Sequence, residues 1–285
     1  MKAKTKPLKI ISRKEWLLFV AILALCAALG VWMVNGTLLT TAASRGVLTV
    51  QGDAVEIHSL YPGAVSEFCV DDGAYVEAGQ TVVRILQADT EISASPADGT
   101  AGVNTVGFRE VLEQAVPITA DQSGYIIFAD VSKWSAVDLT DPIARLCPAE
   151  RKDNNNGLNY VWARVEPDYL NRLVPGETKA MVYPYRVNTS VYGYISGTVI
   201  SIESSPRSAS GLLEKTGSAV SADFLLGEDR ECYMALIRLQ LTEDGSRPQY
   251  SIRQYDKTLP VNAECTVQFV LQETHPYEEI FRLEE

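Results

Sequence analysis

Residues 62–85 read PGAVSEFCVDDGAYVEAGQTVVRI, and the spacing of apolar runs and turn formers there sets the fold class. Residues 64–70 read as a strand, Asp71-Asp72-Gly73 turns, and a short extended link leads to a second turn at Ala78-Gly79. Residues 80–85 then form another strand. Gly73 and Gly79 fall where a positive φ costs least.

The same pattern returns 61 residues later. Pro62-Gly63-Ala64-Val65 falls on Ser123-Gly124-Tyr125-Ile126, Val76 on Val137, Glu77 on Asp138, Val82 on Ile143, and Arg84-Ile85 on Arg145-Leu146. Two like β-halves predict a pseudo-twofold sandwich in which each covers the other's apolar face. The second half departs in two places: Trp134 stands where the turn glycine would be, and Thr140-Asp141 replaces Gly-Gln.

The first half resembles the biotinyl/lipoyl-like half-motif of HlyD-like membrane fusion proteins, the adaptors of bacterial exporters. Gly63, Val65, Asp72, Gly73, Val76, Gly79, Gln80, Val82 and Ile85 carry the likeness. Carrier domains of this type present a modified lysine between the halves. No lysine lies between Gln87 and Gln122, so the resemblance implies a scaffold without a bound cofactor. Adaptors of two-membrane cells insert a long helical hairpin at this point. Here residues 87–121 are a short insert broken by Pro96, Gly99, Gly102, Gly107 and Pro117, with a helix expected only over 108–116.

Outward from the sandwich, residues 16–34 (WLLFVAILALCAALGVWMV) carry no charge. A helix of that length spans roughly 28 Å, close to the ~30 Å hydrocarbon core. Trp16 and Trp32 lie near its ends, and Lys2, Lys4, Lys6, Lys9, Arg13 and Lys14 precede it, whereas the first basic residue after it is Arg45. The positive-inside bias predicts a single-pass protein of the cell membrane, with residues 1–15 as a cytoplasmic basic segment and an extracytoplasmic body. A cleaved signal peptide is the alternative, its apolar stretch being long for that role.

Of the 25 Lys/Arg and 36 Asp/Glu in the chain, seven and one lie in residues 1–45, which leaves a body of net charge −17. That excludes nucleic-acid binding through a basic footprint. The body reads as short β-runs, giving a mainly β fold: a lipoyl-like domain at 46–150 and a β-barrel-like domain at 158–285, with 46–56 a candidate to complete the barrel. Asp153-Asn154-Asn155-Asn156-Gly157 reads as the linker between them.

The stretches Tyr160–Val165 with Glu166-Pro167-Asp168, and Leu173-Val174-Pro175-Gly176-Glu177, resemble the entry to the adaptor barrel. Tyr183-Pro184, residues 192–202, Pro206 and Thr274-His275-Pro276-Tyr277-Glu278-Glu279-Ile280 resemble a narrower group, the secretion proteins of bacteriocin systems with nitrile-hydratase-like or Nif11-like leader peptides. The resemblance implies an ABC-type exporter. Its partners would be a peptidase-containing ATPase/permease, a peptide cargo and further copies of this chain.

No residue set points to catalysis, to cofactor binding or to a metal site. His58 and Cys69, with Asp71 as orienter, could be offered as a nucleophile pair, against the plainer reading of a strand cysteine and an edge histidine. No Gly-x-Ser-x-Gly motif or phosphate-binding glycine loop occurs. Cys69, Cys147, Cys232 and Cys265 permit the pairings Cys69–Cys147 and Cys232–Cys265 or remain free thiols. Two other classes stay open: a membrane-anchored extracellular binding module without a transporter, and an anchored enzyme with an unrecognised site.

Overall fold

The computed structural model describes residues 13–87, 115–150 and 157–274. These form two units, one of residues 13–41 with 270–274 and one of residues 42–269. The first contains α1 (Arg13–Asn35), whose side chains from Trp16 to Val34 are largely exposed. Among the described residues α1 is the one helix long and apolar enough to cross a membrane. Its last turn closes where Gly36 N donates to Trp32 O at 2.7 Å and Asn35 Nδ2 to Val31 O at 2.9 Å. Strand β1 (Leu38–Thr49) begins two residues later.

The second unit holds the repeat as eight strands: β2 (Val55–His58), β3 (Gly63–Phe68), β4 (Tyr75–Val76), β5 (Thr81–Gln87), β6 (Val116–Thr119), β7 (Gly124–Phe128), β8 (Ala136–Val137) and β9 (Pro142–Pro148). They make two four-stranded sheets, β2-β9-β7-β4 and β6-β5-β3-β8. A shift of 61 residues carries one sheet onto the other, pair by pair. Val55↔Leu146 becomes Val116↔Ile85, and Gly63↔Val137 becomes Gly124↔Val76. The outer strand of each half therefore pairs with the other half, β2 with β9 and β6 with β5. The apolar clusters follow the same rule. Val65, Val83 and Ile85 pack with Ile118, Val137 and Ile143, while Val76 and Val82 pack with Ile126, Ala144 and Leu146.

Two corrections to the sequence reading arise here. Residues 116–119, assigned to the insert, are strand β6, which buries Ile118 in the sandwich core. Val116 is accordingly not helical, and residues 108–114 of the expected helix lie outside the described residues, as does most of the insert. Pro117 is tolerated because β6 is an edge strand. Trp134 takes the left-handed conformation of its counterpart Gly73 (φ 71° against 74°), with Trp134 N donating to Val65 O as Gly73 N does to Ile126 O.

The barrel comprises β1, β10 (Tyr160–Val165), β11 (Lys179–Pro184), β12 (Ile195–Ile202), β14 (Glu231–Leu239) and β15 (Glu264–Thr274), with the two-residue β13 (Arg207–Ser208) continuing beside β14. The order β10-β1-β15-β11-β12-β14 closes on itself through the β10–β14 ladder from Tyr160↔Arg238 to Val165↔Tyr233. The strand that completes it is residues 38–49, so of the expected 46–56 the part 46–49 lies in the barrel, while Val55–His58 belongs to the sandwich. The linker expected at 153–157 lies, except Gly157, outside the described residues. Leu48, Val161, Val182, Val199, Ile237 and Phe269 alternate into the barrel interior.

The wall at β1, β10 and β14 is buried on its other face too. There Val47, Trp162, Cys232 and Met234 pack against Leu212, Ala222 and Leu225 of two short helices, α2 (Ala209–Thr216) and α3 (Ala219–Leu226). Arg45 Nη1 donates to Phe224 O at 3.2 Å and Arg164 Nη1 to Leu226 O at 2.8 Å, satisfying carbonyls at the α3 C-terminus. Arg164 also pairs with Asp229.

The two symmetry-related glycines give a direct test of the sandwich. A Cβ at Gly63 would lie 2.1 Å from Leu86 O, and one at Gly124 2.3 Å from Cys147 O, both backbone atoms of a neighbouring strand. Gly63→Ala and Gly124→Ala are expected to lose similar amounts of stability, ~3 kcal/mol or more in urea unfolding, because the ladder itself must move. Gly79→Ala, with φ 83° but open space around it, should lose only ~1 kcal/mol from backbone strain.

Candidate functional site

A dense set of interactions lies where the sandwich meets the barrel, at the corner Thr216-Gly217-Ser218 between α2 and α3. Thr216 is fully buried and its Oγ1 donates to Leu212 O at 2.9 Å. The Thr216 carbonyl accepts from two directions. Asn262 Nδ2 of the barrel loop donates at 2.8 Å, and the Cys147 thiol of β9 approaches to 3.7 Å. Ala54 N, on the crossing from β1 to β2, donates to Glu214 O at 2.8 Å. Lys215 Nζ lies 2.7 Å from Asp53 Oδ1 and 5.4 Å from the centre of the Trp162 ring, joining the same crossing to the barrel wall. Gly217 fits because its φ is 71°, and Cys147, Ala54 and Ile127 side chains surround it.

This corner was not legible as a site in the sequence. Its signals were there: Gly217 and Gly227 each follow a run of helix formers, and Ser218 caps α3 by accepting from Ser221 N. Helices of eight residues are too short for periodicity to reveal them.

An open cleft of ≈560 Å³ flanks the corner, where Asp72 and Gly73 of the sandwich face Tyr185, Arg186 and Val261 of the barrel and Val220 of α3. Asp72 Oδ1 is already engaged by Phe128 N at 2.9 Å. Among the described residues no group of three His, Cys, Asp or Glu side chains is placed to hold a metal ion. Cys69 and His58 are not brought together as a nucleophile pair. Cys69 follows β3 in one sheet, while His58 ends β2 in the other, with Nε2 3.4 Å from Glu56 Oε2. Glu56 is itself held by Arg145 Nη2 at 2.9 Å.

All the cysteines are free. The pairing Cys232–Cys265 fails because the two thiols lie on opposite faces of the barrel wall, Cys232 under the helices and Cys265 inside. Cys69–Cys147 fails because Cys69 is exposed and Cys147 is buried against Thr216. Burial pushes the Cys147 thiol up to about 12 and Cys232 up to about 11, the latter against the pull of Arg164; Cys265 is raised for the same reason.

No family model matches the chain, and no curated protein matches it. Among solved structures it is similar to MacA from Actinobacillus actinomycetemcomitans, at 10% identity over 85% of this chain and 81% of that one, with a TM-score of 0.47. It is also similar to ZneB from Cupriavidus metallidurans, at 11% identity over 81% and 98%, with a TM-score of 0.46. The membrane fusion protein Spr0693 from Streptococcus pneumoniae R6 is similar at 12% identity over 80% and 98%, with a TM-score of 0.38.

Thiol chemistry tests the junction. In folded full-length protein held in its membrane mimic, a bulky thiol reagent should modify Cys69 rapidly, and Cys147, Cys232 and Cys265 only on unfolding. The raised thiols also set a pH limit. A buried thiol favours folding as long as it stays protonated, so its contribution is complete below about pH 9. It is then lost as pH rises toward the folded-state value of about 12 for Cys147. Cys147 alone contributes up to ~1.4 kcal/mol per pH unit to that slope. Urea unfolding at pH 8.5 and 10.5 should show the loss, and Cys147→Ala should reduce the difference between the two.

Proposed function

We propose that this chain is the membrane-anchored adaptor subunit of an ABC-type exporter that secretes ribosomally made, bacteriocin-like peptides. The observation that carries this is the two-half sandwich grown from residues 62–85 beside a closed barrel, with one apolar helix long enough to cross a membrane among the described residues. The sequence likeness of that half-motif to exporter adaptors gives the architecture its functional reading.

The role is non-enzymatic. The peptidase-containing ATPase/permease supplies energy and leader cleavage; the adaptor docks on it, oligomerises and shapes the exit path for the peptide. The basic residues before α1 support an N-terminus in the cytoplasm and an acidic body outside. Each half of the sandwich is a scaffold element, since no lysine is present between the halves to carry a cofactor.

Two measurements test this reading. Crosslinking the full-length protein in its native membrane, followed by mass spectrometry, should recover an ABC permease as the main partner; recovery of wall components alone would favour an anchored binding module. Protease added to wall-stripped cells should digest the body and spare the N-terminal segment. A protected body would overturn the topology and the exporter role together.

A further inference from the structure

In the first unit α1 runs into a two-stranded ribbon rather than a loop. Helical hydrogen bonding ends at Gly36, and β1 begins at Leu38. Across from it runs the end of β15, where Thr274 Oγ1 donates to Leu38 O at 3.5 Å. Leu38 therefore lies at most ~11 Å beyond Asn35, since consecutive Cα atoms are 3.8 Å apart.

The exposure of this ribbon is unlike that of a water-facing one. In a strand, successive side chains point to opposite faces, so a ribbon packed or solvated in the usual way alternates apolar and polar. Here the consecutive Leu38 and Leu39 are 41% and 49% exposed, putting a leucine on each face. The opposing strand carries Gln272 and Glu273, both exposed, so the ribbon is too polar for hydrocarbon. One chemistry accommodates leucine on both faces beside an amide and a carboxylate: the lipid headgroup layer, which adds roughly 5–7 Å to each side of the ~30 Å core.

We infer that Leu38 and Leu39 insert into the lipid headgroup layer, making the ribbon a second membrane contact continuous with the membrane face of α1. This rests on α1 being the membrane anchor. The occupant is lipid because the ribbon directly continues an element whose exposed apolar surface already calls for lipid. A short apolar step at this height sets how deep the helix sits, since burying each leucine removes apolar area from water.

The test uses full-length protein in phospholipid nanodiscs, carrying Cys26→Ser and Cys69→Ser so that the remaining thiols are buried ones. A nitroxide is attached in turn at Leu39→Cys, at Leu25→Cys within α1 and at Glu177→Cys on an exposed barrel turn. Collision rates with oxygen and with a water-soluble nickel chelate are then compared. The expected oxygen-to-nickel ratio at position 39 is several-fold above that at 177 and below that at 25. A ratio at 39 equal to that at 177, with 25 in hydrocarbon, overturns the inference and leaves the anchor intact. A water-like ratio at 25 overturns the anchor and this inference with it.

Discussion

Everything in the second unit depends on one constraint: neither half of the repeat can cover its own apolar strand faces. Each sheet takes its outer strand from the other half, β2 onto β9 and β6 onto β5, and each core cluster draws side chains from both halves. Glycine is required at Gly63 and Gly124 by the close pairing within each half, where the carbonyl of Leu86 in β5 or of Cys147 in β9 occupies the space of a Cβ. The short α2–α3 pair, held by Arg45 and Arg164 at one end and by Cys147 and Asn262 at its corner, fills the angle between the two domains.

The barrel shows how two-sided burial is built from a short sequence. Along β10, Val161 and Ala163 face the interior while Trp162 packs outward under α2, and the Lys215 ammonium covers its ring. Both faces of this strand are buried at its centre, so Val161-Trp162-Ala163 reads as a continuous apolar run before Arg164, unlike the alternating β11 and β12.

The sequence made the sandwich legible because the repeat keeps register over its whole length: the strand glycines Gly63 and Gly124, the Val76 and Val137 pair and the Arg84 and Arg145 pair all survive the 61-residue shift, although the turn glycines Gly73 and Gly79 do not. It hid β6 because Pro117 and the helix-like run before it imitate a loop after a helix, and only an unpaired edge permits that proline. It hid α2 and α3 because an eight-residue helix makes barely two turns. The start of β1 at Leu38 was obscured by its closeness to the membrane segment, whose hydrophobicity runs on into Leu38-Leu39. The junction corner was hidden for a different reason: Thr216, Asn262, Cys147 and Ala54 are far apart in sequence, and only the closed sandwich and closed barrel bring them together.

Amide hydrogen exchange on the full-length protein, read on peptides spanning β5 and β9, tests the exchange of strands most directly. If each half is completed by the other, Val83 and Ile85 of β5 should open with the same free energy as Ala144 and Leu146 of β9, because neither strand can be released without losing both sheets. An opening free energy lower in one half by ~1 kcal/mol or more would mean the halves fold as separate units, and would contradict the account.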